Sequence, residues 1–180
     1  MPERLVIVQM AGLGWDLVRG ATDLAERYGL TFRPMETVFP ALTCPVQASF
    51  RTAAHPCFHG ITANGFFARR LGRVLFWEQS AALVYGRRIW HRFRTSGRRV
   101  GMLFWQQSLG EEVDLLLSPW PVHRHHGGMI PHCHSVPDDL YARLRAELGR
   151  PFPLHHYWGP RASIESSRWI AEAACAVISN

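Results

Sequence analysis

Thr43 is the residue whose type and position in this sequence most favour a chemical role. It follows a predicted strand over 31–39 and lies at the N-terminus of a predicted helix that covers 46–54. A hydroxyl at the mouth of a helix, just after a strand of an α/β sheet, lies where ligands bind in that architecture. The free N–H groups and positive dipole end of such a helix favour a bound phosphate and help a threonine ionise. The alternative is that Thr43 is only the N-cap, with Pro45 in the first turn.

Histidines are concentrated between positions 123 and 134, where five histidines and Cys133 fall within 12 residues. This composition can bind zinc. Structural zinc sites, however, usually arrange their ligands as two separated pairs, whereas this stretch contains Gly127 and Gly128. The two interpretations are a metal site and an exposed loop, and the glycines favour the loop.

The elements that would position Thr43 read as a βαβ unit. Residues 4–10 form a short run rich in β-branched residues that ends at Ala11 and Gly12, which is typical of a buried parallel strand leading into a turn. Apolar residues then recur at helical spacing over 15–28, and Gly29 is the stop signal. A strand, a helix and a second strand in succession indicate an α/β sheet.

The rest of the chain predicts further helices and strands around this unit. Residues 55–67 are punctuated like a loop. Helical or strand patterns are seen at 81–93 (helix), 100–105 (strand), 113–117 (strand), 138–148 (helix) and 164–178 (helix). A His- and Pro-rich loop spans about 118–137. The predicted fold class is therefore α/β, with a mainly parallel sheet flanked by helices.

The composition excludes several classes of protein. A chain of 180 residues that is 47% hydrophobic and 12% aromatic can fill a core, which excludes general disorder. Its apolar runs are shorter than the roughly 20 residues that a membrane span needs, and its start does not resemble a signal peptide. Four cysteines without a CxxC pair favour a reducing compartment. The expected location is cytoplasmic, with no membrane partner.

The charge favours anionic partners without identifying one. The net charge is +6, and all 20 basic residues are arginine. Arginine suits phosphate recognition, but codon bias explains the absence of lysine at least as well. Arginine pairs at 69–70, 87–88 and 98–99 alternate with aromatic residues, as on a nucleic-acid surface. No recognised nucleic-acid motif accompanies them, which favours a solvated face.

The run from Val38 to Pro45, followed by His59-Gly60-Ile61 and then Asn64, resembles the nucleophile region of the nucleotide pyrophosphatase/phosphodiesterase branch of the alkaline phosphatase superfamily. The resemblance covers about residues 34–67. In that family a threonine before an aromatic residue and a proline is the nucleophile, and an asparagine stands 21 positions later, as Asn64 does here. The resemblance implies that Thr43 is nucleophile and metal ligand and that Asn64 donates to a phosphoryl oxygen.

Without the resemblance, Asn64 would be interpreted as a turn residue before Gly65, because Asn-Gly is a common turn pair.

The resemblance also implies an alkaline-phosphatase-like core and two bound zinc ions, and this chain departs from the family at the first ligand. The family has an aspartate before the glycine that closes the first strand, whereas Ala11 stands here. Asp16, further along, is the candidate replacement as a metal ligand. Cys44 replaces the usual phenylalanine, and Val46-Gln47 stand where Asn-His are common.

The remaining family ligands, which include an Asp-His-Gly step, lie in the C-terminal half of a domain of several hundred residues. This sequence contains no Asp-His-Gly. Residues 1–180 are therefore expected to be the N-terminal part of a single alkaline-phosphatase-like domain that does not complete a two-metal site by itself.

The predicted function is metal-dependent hydrolysis of phosphodiester or pyrophosphate bonds in a phosphorylated small molecule, through a covalent phosphothreonine. Two alternatives stay open. The first alternative is a catalytically inactive alkaline-phosphatase-like binding or assembly module, in which Ala11 marks the lost ligand. The second is a basic nucleic-acid-binding protein. Ala11 is equally compatible with a branch of the family whose first strand ends in an apolar residue before glycine.

Overall fold

The structure is a computed structural model that describes residues 4–123 and 126–179. Its helices are α1 (Trp15–Val18), α2 (Thr22–Tyr28), α3 (Thr43–Thr52), α4 (Pro56–His59), α5 (His91–Thr95), α6 (Leu140–Glu147) and α7 (Ile164–Ser179). Its strands are β1 (Gly65–Ala68), β2 (Arg73–Phe76), β3 (Gly101–Leu103), β4 (Leu115–Pro119), β5 (Val122–His123), β6 (Met129–Ile130) and β7 (Cys133–Val136). None of the helices in these described ranges has the length and apolar character needed to cross a bilayer.

The largest sheet has three strands in the order β3-β4-β7. β3 pairs with β4 in parallel, whereas β4 pairs with β7 in an antiparallel direction. The other two sheets are antiparallel pairs, β1 with β2 and β5 with β6. The predicted α/β class is confirmed, and β3 and β4 lie where strands were predicted. The sequence predicted a mainly parallel sheet. Within the described residues, however, the strand pairing is mixed and parallel pairs do not dominate.

The main core lies between this sheet and α7. Trp169 and Ala173 of α7 have no exposed surface, and they belong to one cluster with Phe104 and Leu117. The Phe104 and Trp169 ring centroids lie 5.8 Å apart, edge to face. A buried tryptophan contributes on the order of 2–3 kcal/mol of hydrophobic stabilisation. The helix predicted over 164–178 is therefore confirmed, and its apolar composition follows from its position against the sheet.

The N-terminal part departs from the predicted βαβ unit. Residues 4–10 and 31–39 form no strand, and the Leu5 and Val8 side chains are 77% and 71% exposed. The helix predicted over 15–28 is interrupted between Val18 and Thr22. A β-branched run becomes a strand only where a neighbouring strand supplies hydrogen-bonding partners. No strand in the described ranges pairs with these residues.

Three later predictions also differ from the structure. The interval 55–67 contains α4 and the start of β1 instead of a continuous loop. The interval 81–93 contains a 3-10 turn and the start of α5, separated at Gly86, whose φ of +101° is incompatible with a helix. The interval 118–137 contains β5, β6 and β7, and β7 alternates buried and half-buried residues as a strand does. Arg124 and His125 lie outside the described residues.

A buried charge cluster joins α3 to the segment before β4. The Arg51 side chain is fully buried, and its Nη1 donates to the Gln107 carbonyl oxygen at 2.8 Å and to Glu111 Oε2 at 3.5 Å. Arg88 Nε donates to the same Oε2 at 2.8 Å. Burial lowers the pKa of Arg51 to about 10, although Glu111 opposes this effect. Arg88, expected on a solvated face, is therefore a structural residue that helps to neutralise Glu111.

Replacing Glu111 by glutamine is expected to lower the free energy of unfolding by about 3–5 kcal/mol, because Arg51 would stay buried without a carboxylate partner. Guanidinium denaturation midpoints measure the change. Glu112→Gln is the matched control, since Glu112 is the exposed neighbour and its replacement is expected to cost no more than about 0.5 kcal/mol. Equal midpoints for wild type and Glu111→Gln would contradict this role for Glu111.

Candidate active site

The candidate site is built at the first turn of α3. The helix begins at Thr43, and Leu42 is its N-cap residue, with no side-chain hydrogen bond at that cap. The interpretation of Thr43 as the N-cap is therefore wrong by one position: Thr43 is the first helical residue, and the helix end predicted at this threonine is otherwise found there. Leu42 has the extended backbone of a cap, but its side chain has no polar atom with which to satisfy the first N–H groups.

Asn64 supplies the missing cap from a distant part of the chain. The N–H of Cys44 donates to Asn64 Oδ1 at 2.9 Å. Pro45 has no N–H, and the N–H of Val46 donates to the Leu42 carbonyl oxygen at 3.0 Å. Among the described residues, nothing accepts a hydrogen bond from the N–H of Thr43. The helix start therefore offers one free N–H and not the several expected from the sequence.

The Thr43 side chain is not used to cap its own helix. Thr43 is half-buried, and its hydroxyl makes no hydrogen bond to any residue that the structure describes. Asn64 performs the capping that a threonine at this end of a helix often performs. The hydroxyl is thus left for another partner at the positive end of the helix dipole.

The position of Asn64 is fixed by the strand pair that follows it. Its carbonyl oxygen accepts the N–H of Trp77 at 3.0 Å, which continues the β1–β2 ladder by one step. The next residue, Gly65, lies opposite Phe76, and a Cβ there would lie 2.4 Å from the Phe76 ring. Asn64 is therefore more than a turn residue: its backbone belongs to the strand pair while its side chain reaches α3.

His59, the last residue of α4, attaches that helix to α3 through a hydrogen bond. It is fully buried, its Nδ1 accepts the N–H of Ile61 at 3.1 Å, and its Nε2 lies 2.8 Å from Ser49 Oγ. Because Nδ1 is an acceptor, the neutral ring carries its proton on Nε2 and donates to Ser49. Burial, with Arg51 as the next cause, holds the pKa of His59 below its usual value. His59 is a structural residue.

Cys44 is close to Thr43 in sequence but is not a competing nucleophile. Its thiol is buried, with 1% of its surface exposed, and burial raises its pKa to about 11. A thiol with such a pKa is almost entirely protonated at neutral pH, and the thiolate is the reactive form. The side chain instead packs with Ala48, Ile61 and Val84 in a small core under α3.

A network of glutamine side chains beside α3 could not be predicted from sequence patterns. Gln47 Oε1 accepts the N–H of Gln106 at 2.7 Å. The Gln106 side chain accepts from Gln79 Nε2 at 2.7 Å and donates to Tyr157 Oη at 3.1 Å. Gln106 follows the carboxyl end of β3, where the segment includes Gln107 with a φ of +54°. The network connects α3 to the strand end at which α/β proteins bind ligands.

The described residues do not provide a donor set for two metal ions. Nowhere in the ranges 4–123 and 126–179 do three His, Cys, Asp or Glu side chains approach closely enough to hold an ion. Asp16 is exposed on α1 and forms an ion pair with Arg19, with Oδ1 3.3 Å from Nε. His132 and His134 both contact the Trp120 ring. Zinc requires about four ligands, so these residues do not fit the pair of ions that the resemblance implies.

Comparison with protein families extends the resemblance well beyond the residues that first suggested it. The family model described as type I phosphodiesterase / nucleotide pyrophosphatase matches residues 5–176. This range includes Thr43, Asn64 and all of the main sheet. A search of curated proteins found no match to the chain.

The buried His59 predicts a pH-dependent stability. A histidine with a lowered folded-state pKa stabilises the fold fully above its unfolded pKa of about 6.5, and this contribution is lost as the pH falls toward the folded-state pKa. Unfolding free energies from pH 7 to pH 5 should therefore fall, with a His59 contribution of at most about 1.4 kcal/mol per pH unit. His59→Gln should remove that contribution, whereas His55→Gln, at an exposed site, should keep it. An unchanged slope in His59→Gln would show that His59 is not the titrating group.

Proposed function

The chain belongs to the type I phosphodiesterase / nucleotide pyrophosphatase family, and on that basis we propose that Thr43 is the nucleophile in the hydrolysis of a phosphodiester or pyrophosphate bond. The family match indicates phosphodiesterase or nucleotide pyrophosphatase activity at the level of the family, acting on phosphorylated small molecules. The threonine nucleophile, the donor role of Asn64 and the choice of substrate are our proposals for this chain.

The observation that carries the proposal is the capping of α3 by Asn64. Because the N–H of Cys44 donates to Asn64 Oδ1, the Thr43 hydroxyl is not needed at the helix end. The same bond sets the orientation of the Asn64 carboxamide, since only its oxygen can accept from an N–H. Nδ2 must therefore face away from Cys44 and is available to a ligand. A hydroxyl and an amide donor are thus held at the same helix start.

The proposed reaction has two displacement steps. Thr43 Oγ1 attacks phosphorus, an Oγ1–P bond forms, and the bond from phosphorus to the leaving oxygen breaks with its electron pair remaining on that oxygen. The hydroxyl proton passes to solvent. Water then attacks phosphorus, the P–Oγ1 bond breaks with its electron pair remaining on Oγ1, and Oγ1 takes up a proton from the attacking water, which restores the hydroxyl. Asn64 Nδ2 and the free N–H of Thr43 donate to the non-bridging oxygens as negative charge develops on them.

The family is generally metal-dependent, but no step above passes through a metal because the described donors do not fit one. We propose that residues 1–180 are the N-terminal part of one alkaline-phosphatase-like domain. In this proposal Thr43 and Asp16 are candidate ligands for two zinc ions that need further donors from elsewhere in the domain. The support is the family match.

A second candidate function is a non-catalytic binding or assembly module of the same fold. Ala11 in place of the family aspartate and the solvent-exposed ion pair of Asp16 favour it. A module of this kind would retain Asn64 as the cap of α3, because the cap stabilises the helix whether or not Thr43 reacts. The two functions therefore differ in what the Thr43 hydroxyl does and not in how the site is built.

Thr43→Ala is expected to lower kcat/KM for bis(p-nitrophenyl) phosphate by about a thousandfold or more in the full-length protein, since it removes the attacking oxygen. Release of p-nitrophenol gives the rate. Thr43→Ser retains a hydroxyl and should keep far more activity than the alanine variant. Thr62→Ala is the control, since Thr62 is exposed in the loop before Asn64. Turnover by Thr43→Ala at the wild-type rate would refute the nucleophile, and a wild type without turnover would favour the binding module.

Equilibrium dialysis of residues 1–180 against zinc at about 10 μM is expected to give fewer than one bound ion per chain, because the described donors form no complete site. Elemental analysis provides the stoichiometry. Asp16→Asn should leave that value unchanged. Two zinc ions per chain, with a loss on Asp16→Asn, would contradict our account of the donors.

A further inference from the structure

We infer that Gln47 is a second side-chain amide donor to the phosphoryl group, beside Asn64. This inference rests on the proposed function, because it concerns the same bound group. The residue was noted in the sequence only as a departure from the family pattern, in which a histidine is common at this position. Its hydrogen bonding in the structure gives it a specific role.

Gln47 and Thr43 share one face of α3. Residues four apart in a helix lie one above the other, with Cβ atoms about 5–6 Å apart. Helical side chains also lean toward the N-terminus, so a long side chain at position 47 covers the turn that begins at Thr43. Gln47 is half-buried, as Thr43 is, so neither side chain is closed off from solvent.

The orientation of the Gln47 carboxamide is determined by its partner. The atom facing the N–H of Gln106, at 2.7 Å, must be the oxygen, since an N–H cannot donate to an NH2 group engaged as a donor. Nε2 therefore faces away from Gln106, and no hydrogen bond from it reaches any described residue. Asn64 shows the same arrangement. Its oxygen accepts the N–H of Cys44, and its Nδ2 has no hydrogen-bond partner among the described residues.

The neighbouring amides provide the contrast. Gln79 Nε2 donates to both the Trp77 carbonyl oxygen and Gln106 Oε1, and Gln79 Oε1 accepts the N–H of Gln107. Both ends of the Gln79 side chain are therefore used within the protein. Gln47 differs because, among the described residues, only its oxygen has a partner. That partner follows the carboxyl end of β3, where a ligand is expected.

The inference is tested by the binding of inorganic phosphate to the full-length protein, measured by isothermal titration calorimetry at constant ionic strength. Gln47→Met removes the donor without adding charge and should raise the Kd for phosphate about tenfold or more, as for the loss of a hydrogen bond to a charged group. Gln47→Glu keeps an acceptor for the N–H of Gln106, so its melting temperature should stay near that of wild type while phosphate binding is lost.

Two controls distinguish a ligand contact from a structural role. Gln79→Met disturbs the same network and should lower the melting temperature, yet it should change the phosphate Kd by less than about threefold. Asn64→Asp keeps the cap acceptor and removes the Nδ2 donor, so it reports on the proposed function itself and should weaken phosphate binding. Wild-type affinity in both Gln47 variants, with weakened binding in Asn64→Asp, would overturn the inference alone. Absence of saturable phosphate binding in wild type, or full affinity in Asn64→Asp, would overturn the proposed function.

Discussion

The hydrogen bond from the N–H of Cys44 to the side chain of Asn64 connects the two parts of the candidate site, which are the first turn of α3 and the residue before β1. It satisfies the N–H of Cys44 in place of a local cap, and it orients the Asn64 amide in the same contact. A cap of this kind contributes about 1 kcal/mol, which is small beside the whole stability of a domain. Its chemical consequence is larger than its energy, because it leaves the Thr43 hydroxyl unpaired at the positive end of a helix.

The placement of that contact depends on how α3 is held along its length. Near its C-terminal end, Arg51 is buried against Glu111. Removing only one of these two partners would leave a buried charge without compensation, which strongly destabilises a fold. In the middle, Ser49 receives a hydrogen bond from His59, and Gln47 accepts one from the backbone after β3. These tethers come from three different segments, α4, the end of β3 and the segment before β4. A helix held in this way can keep the Thr43 hydroxyl within the roughly 0.5 Å that a catalytic group requires.

Local features of the fold were predicted from the sequence, and features that depend on distant partners were not. The apolar pattern over 164–178 predicted α7 correctly because a helix makes its own hydrogen bonds. The β-branched run at 4–10 predicted a strand that does not form, because a strand depends on a neighbour that local pattern does not encode. The spacing of Thr43 and Asn64, interpreted through the family, assigned both residues to one site, and their catalytic roles stay predictions. The capping role of Asn64 and the Gln47–Gln106 bond join residues 20 and 59 positions apart, and no local pattern predicts such contacts.

In the proposed reaction Thr43 becomes covalently bound to phosphorus during turnover. The most direct test is acid quenching of the full-length protein during hydrolysis of a phosphodiester, followed by peptide mass spectrometry. We expect an adduct on the peptide that contains Thr43, with a mass equal to the substrate minus its leaving alcohol, and no adduct in Thr43→Ala. Turnover with no adduct on that peptide, or an adduct on another residue that persists in Thr43→Ala, would contradict it.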